Sequence, residues 1–219
     1  MDKDLEIEHQ RTYTYHFFFN HGLFEEILHL QDFINSTDEY LNEKLTSKIR
    51  QENNTENYDQ RFNVENQFGH IFPNILWRTT FLHSYFILES SLDQICKNIQ
   101  EAENHNLTLK DISGRGIQRA SLYLRKVCRV TIPFDTKNWI ELQDFNKIRN
   151  LFVHSDGVVE RTNLDIIRIA SKYKGIKLGD FDNNVVSFLE ISKGFTIYSL
   201  NCIESFFQSI YLNIRSETK

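Results

Sequence analysis

Seven consecutive residues, Ile148-Arg149-Asn150-Leu151-Phe152-Val153-His154, set a cation, an amide and an imidazole at the end of an apolar helical run, and Ser155-Asp156-Gly157 follows directly. Polar groups of these types do not collect on a core-forming segment without a reason. Arginine grips a phosphate through two parallel hydrogen bonds, and histidine both takes and gives a proton near neutral pH. Together they point to phosphodiester chemistry. RNA fits it well, because its own 2′-hydroxyl can attack the adjacent phosphorus. A catalyst then needs a proton-transfer group and a cation for the crowded, negatively charged phosphorane, and it needs no metal. His154 would handle the proton, and Arg149 would pair with the nonbridging oxygens as charge develops.

The spacing constrains how these groups cooperate. Asn150 and His154 are four apart, so at about 100° per helical residue they share a face, where Asn150 would orient the phosphate or the imidazole. Arg149 and His154 are five apart and diverge by roughly 140°. A single helix aims both at one atom only if the long arginine stem wraps back. A second arrangement puts the helix on a two-fold axis, so that each site borrows a residue from the neighbouring copy. Full acid–base catalysis uses two proton-transfer groups, and each chain supplies one such histidine, which favours the dimer.

Arg149-Asn150-x-x-x-His154 on a hydrophobic helix, with a chain break at Asp156-Gly157, resembles the HEPN superfamily and its arginine–spacer–histidine signature. The resemblance is drawn over about residues 65 to 214, from the order of helices around the motif. It implies a small, commonly dimeric helical bundle. Many such domains are metal-independent endoribonucleases in toxin–antitoxin, antiviral-defence or RNA-processing systems, while others have no demonstrated catalysis. Carried over residue by residue, it makes Arg149 and His154 the catalytic pair and Asn150 the polar residue beside the arginine. The same residues also have ordinary structural roles. Arg149 would be a cation near a helix C-terminus, and His154 a C-terminal cap donor ahead of the turn.

Composition and periodicity indicate the framework around the motif. The 219 residues suffice for one domain with a good core, or a domain plus an extension. Eight glycines and two prolines are few for a sheet-and-turn protein and suit a helical one. Cys96, Cys128 and Cys202 are widely separated in apolar helical patterns, and read as reduced core thiols of a cytoplasmic protein. There is no apolar run of about 18 residues, and the N-terminus lacks a basic stretch followed by an apolar core. Export and membrane insertion are therefore not expected. A formal net charge of −5 argues against broad nonspecific nucleic-acid binding, so an RNA site must be local.

Residues 1 to 12 are charged and expected to be loose. An aromatic-rich helical segment runs from Tyr13 to Asn35, interrupted at Gly22. Ser36-Thr37-Asp38 offers an N-cap for a second helix to about Arg50, and Gln51 to Gln60 is a polar linker. That linker divides the chain into a helical N-terminal extension, 1–60, and a HEPN-like helical domain, 61–219. A long helix then starts at Pro73 and runs to about Ala102, with Phe81, Leu88, Leu92, Ile95 and Ile99 within roughly one quarter of the wheel. Glu89 and Asp93 fringe that stripe. Glu89 is a candidate carboxylate to hold Arg149 or His154, against the commoner role of a solvated boundary charge.

From Ser113 to Val130 the chain carries five basic residues and no acidic one. On a continuous helix Arg115, Arg119, Lys126 and Arg129 lie within roughly 80°, opposite Ile117, Ala120, Leu124, Val127 and Cys128. This is a candidate phosphate-tracking stripe for RNA, or else a solvated face or a dock for an acidic partner. The motif helix spans Trp139 to Val153, packing through Ile140, Leu142, Phe145, Ile148, Leu151 and Phe152. A helical pattern follows at Leu164 to Tyr173. Val185 to Ile191, entered through Asp182-Asn183-Asn184, reads as a strand with Lys174 to Leu178 as its hairpin partner, and a last helix runs from Gly194 to Ile214.

Other constellations are weaker. His9, His16, His21 and His29 lack the four-residue spacing of a helical zinc pair, and Ser113-Gly114-Arg115-Gly116 lacks the lysine of a phosphate-binding loop. No metal or cofactor is expected. The expectation is an all-α, HEPN-like helical bundle with a small β-hairpin insertion near the C-terminus, acting on RNA as a homodimeric endoribonuclease. A toxin or defence effector would have a cognate inhibitor or trigger. The alternative is a noncatalytic helical dimerisation or protein-interaction module.

Overall fold

A computed structural model of the chain describes residues 18–52, 58–181 and 186–217. The segment 1–12, the start of the first aromatic segment, the middle of the polar linker and the Asp182-Asn183-Asn184 entry to the strand lie outside the described residues.

A π-helical turn at Phe18–Leu23 leads into α1 (Phe24–Glu52), followed by α2 (Tyr58–Asn66), a second π-helical turn at Gln67–Ile71, and α3 (Phe72–Glu103). Then come α4 (Gly116–Lys126), the motif helix α5 (Lys137–Ser155), β1 (Val158–Glu160), α6 (Leu164–Lys172), β2 (Ile176–Phe181), β3 (Val186–Ile191) and α7 (Lys193–Glu217). The fold is mostly helical with one small antiparallel sheet near the C-terminus, as the patterning indicates. Among the described residues no helix is long and apolar enough to cross a membrane. The chain divides into two compact units: one draws on residues up to Leu28, His83–Phe145 and the chain from Leu200, the other on His29–Leu82 and Asn146–Ser199.

In the first unit, Leu88, Leu92 and Ile95 of α3 are fully buried and Ile99 nearly so, as their common stripe requires. Ile117, Ala120 and Leu124 bury one face of α4, and Ile203, Phe206, Phe207 and Ile210 bury one face of α7. Aromatic rings fill much of the space. Trp139 stacks on Phe206 with centroids 5.6 Å apart, and Phe134 meets Trp139 edge-on at 5.1 Å. Contacts of this kind add about 0.5–1.5 kcal/mol beyond the burial itself. None of the three thiols is in a disulfide, and all three are buried. Burial pushes the Cys128 thiol up to about 12 and raises that of Cys96 as well. Cys202 lies 3.5 Å from Glu141, a buried carboxylate that also meets Lys137 at 3.4 Å. Ile140 does not pack: it is exposed, because it sits roughly 200° around α5 from the buried Leu142.

In the second unit, α1 continues through Ser36-Thr37-Asp38 without a break, so the expected helix start there is wrong. Ile34 and Leu41, two turns apart, are both buried on one face, and tertiary burial outweighs the capping preference of Ser and Thr. Asp38 forms an ion pair with Lys193 at 2.7 Å instead of capping. The sheet has strand order β1-β3-β2. The expected hairpin is β2 and β3, in register Ile176↔Ile191 and Leu178↔Leu189. On its other edge β3 pairs with β1 through Val158↔Phe188 and Glu160↔Val186, a third strand not foreseen. Phe81 is fully buried between Phe152 and Phe195, with ring centroids 6.2 and 5.6 Å away.

Candidate functional site

The motif occupies the last turns of α5. Ile148, Leu151 and Phe152 are buried, and they fix the helix face. Arg149 and Asn150 are partly exposed, and His154 is exposed. Arg149 donates from Nη1 to the Asn150 side-chain oxygen at 3.0 Å. Asn150 therefore holds the arginine, in addition to sharing the helical face of His154. The His154 imidazole makes no hydrogen bond or ion pair among the described residues, so it is not the helix cap that its position permits.

That capping role falls to Arg78, which the sequence did not single out. From α3 it donates to the Phe152 carbonyl at 3.0 Å and to the Asp156 carbonyl at 3.4 Å, and it pairs with the Asp156 carboxylate. Its guanidinium also lies over the Phe152 ring, 4.9 Å from the centroid. A cation is favourable at a helix C-terminus, where the last carbonyls lack intrahelical partners. The chain leaves α5 through two left-handed residues, Asp156 at φ 52° and Gly157 at φ 85°. The Gly157 amide returns to the Leu151 carbonyl at 3.3 Å, and its own carbonyl accepts from Leu189 of β3 at 2.9 Å. The left-handed backbone favours glycine, and a Cβ there would crowd the Phe152 ring at 3.2 Å. The last turn carrying His154 is thus clamped from α3 on one side and tied to the sheet on the other.

The remaining candidates belong to the first unit. Glu89 is partly buried, and its carboxylate oxygen stands where a side chain on Gly116 would be, 2.5 Å from that ideal Cβ position. It therefore sits at the N-terminus of α4, where a negative charge complements the helix dipole. Gly116 has φ 51°. The basic stripe is not one helical face. Arg115 is the N-cap residue in an extended conformation, and Arg129 lies beyond the C-cap Val127 in a left-handed conformation at φ 59°. Only Arg119 and Lys126 of the four are within α4. Arg119 faces Asp93 at 3.9 Å, whereas Arg115, Lys126 and Arg129 are exposed and make no ion pair among the described residues. Burial raises the Asp93 carboxyl, and the Arg119 charge pulls it back down.

No family model, no curated protein and no solved structure matches this chain. Among those described, no three His, Cys, Asp or Glu side chains are grouped so as to hold a metal ion. The groups present for acid–base and electrostatic work at the end of α5 are one solvent-facing imidazole and one guanidinium steadied by an amide.

Proposed function

We propose that the protein is a metal-independent endoribonuclease of the HEPN type, working as a cytoplasmic homodimer in a toxin–antitoxin or antiviral-defence setting with a cognate inhibitor or trigger. One observation carries this: Arg149 is held by Asn150 on the helix whose last turn presents His154 exposed and unengaged. His154 takes the proton from a ribose 2′-hydroxyl as that oxygen bonds to the neighbouring phosphorus. Arg149 neutralises the charge that builds on the nonbridging oxygens. The bond from phosphorus to the 5′-oxygen breaks, and the departing oxygen takes a proton from the second histidine of the dimer. Arg115, Arg119, Lys126 and Arg129 contact the RNA backbone, and Glu89 supports the fold at the N-terminus of α4. The products are a 2′,3′-cyclic phosphate and a 5′-hydroxyl. End-group analysis of RNA incubated with the protein in excess chelator tests this. Hydrolytic ends with a 5′-phosphate would contradict the chemistry.

A noncatalytic interaction module is the second reading, favoured by Val153, which is half exposed immediately beside His154. An apolar side chain there suits a helix-to-helix contact. In that case His154→Ala changes the assembly state in light scattering while RNA stays intact with either protein.

A further inference from the structure

Within the second unit, a cavity of about 240 Å³ opens between the start of α3, the end of α5 and strand β3. Its apolar lining includes Ile75, Phe152 and Phe188, and its charged lining Arg78, Asp156 and Glu190. Pockets for drug-sized molecules begin at about 300 Å³, so this one suits a single ring system. Two carboxylates against one guanidinium disfavour a phosphate, and favour a neutral group with N–H donors on one edge. The Asp156 side chain is 81% exposed, so its carboxylate stays available beyond its pairing with Arg78. Phe188 is partly exposed and lines the cavity.

Unstacked RNA bases are bound by stacking on aromatic rings and by hydrogen bonds to their edges. Guanine alone among the four presents a ring N–H beside an amino group, a donor pair that matches a carboxylate such as that of Asp156 or Glu190. We propose that this cavity takes one unstacked guanine of a bound RNA strand and sets a sequence preference, which presupposes the RNA chemistry proposed above. Phe152 and Asp156 flank His154 in the chain, so the base site and the candidate reacting group are built on the same helix end.

The test uses full-length His154→Ala protein and fluorescein-labelled hexanucleotides: oligouridine, the same strand with one central guanosine, and one with inosine, which lacks the amino group. The guanosine strand is expected to bind about tenfold more tightly than oligouridine, with most of that gain lost for inosine. Phe188→Ala and, as a milder change at a left-handed position that asparagine tolerates, Asp156→Asn are each expected to remove the guanosine gain over oligouridine. Equal affinity for all three strands, or a guanosine gain that survives both variants, overturns the proposal. Cleavage by the unaltered protein without regard to guanine would refute the base site and leave the nuclease standing. Guanine-selective binding by a protein that cleaves no RNA would support the base site and refute the nuclease.

Discussion

Arg78 and Phe152 are joined twice: the guanidinium donates to the Phe152 carbonyl at 3.0 Å and lies over that residue's ring at 4.9 Å. One side chain from α3 thereby satisfies the backbone end of α5 and packs on its last large apolar group. A lysine could keep the charge but not the planar fork or the stacking. Arg78→Lys is expected to cost about 1–2 kcal/mol in urea unfolding. An unchanged midpoint would mean that the clamp contributes nothing to the fold.

Gly157 tests the other tie on the motif. Its φ of 85° strains any side chain, and a methyl group there would press on the Phe152 ring at 3.2 Å. Gly157→Ala is expected to destabilise the protein by about 2 kcal/mol. Thermal unfolding at the same melting temperature as the parent would show that the turn relaxes freely.

Arg129 separates charge from strain. Because a non-glycine residue at φ 59° is disfavoured, Arg129→Gly is expected to leave stability unchanged or raise it by up to about 1 kcal/mol. If the side chain contacts RNA, the same variant weakens RNA binding and makes its salt dependence shallower. Unchanged affinity and salt slope would remove Arg129 from the RNA surface.

Much of this architecture was legible in the sequence, for identifiable reasons. The stripe Phe81, Leu88, Leu92, Ile95 and Ile99 has a long helical period and is buried as read. The β2–β3 hairpin was visible in the run of apolar residues ending at Ile191. The two short helices expected before residue 50 proved to be one, since Ser36 and Thr37 resemble a cap locally and only the burial of Ile34 and Leu41 tells otherwise. Strand β1 has three residues, too few for an alternating pattern. Arg78 was invisible as a cap because its partners lie 74 and 78 positions away. The four basic residues were placed on one helical wheel, which fails at Arg115 and Arg129 because α4 begins after the first and ends before the second.

Acid sensitivity follows from Asp165. Its hydrogen bond and charge interaction with Lys147, with Nζ 2.8 Å away, hold its carboxyl below the ordinary value of 3.8. A carboxylate whose folded pKa is depressed contributes stability above its unfolded pKa and loses it as pH falls through the folded one. Asp165→Asn should therefore be less stable than the parent at neutral pH. The gap should close as pH drops below the ordinary carboxylate value. A gap that is constant from neutral pH to pH 3 or so would assign the effect to something other than this charge.

Arg149 and His154 are proposed to cleave RNA without a metal. The direct measurement is the cleavage rate of total RNA and a tRNA pool in excess chelator, for the unaltered protein, Arg149→Ala and His154→Ala, each confirmed folded by circular dichroism. Cleavage by the parent and a loss of about 10²–10⁴-fold in each variant are expected. Equal cleavage by parent and His154→Ala, or intact RNA with all three, would contradict this assignment.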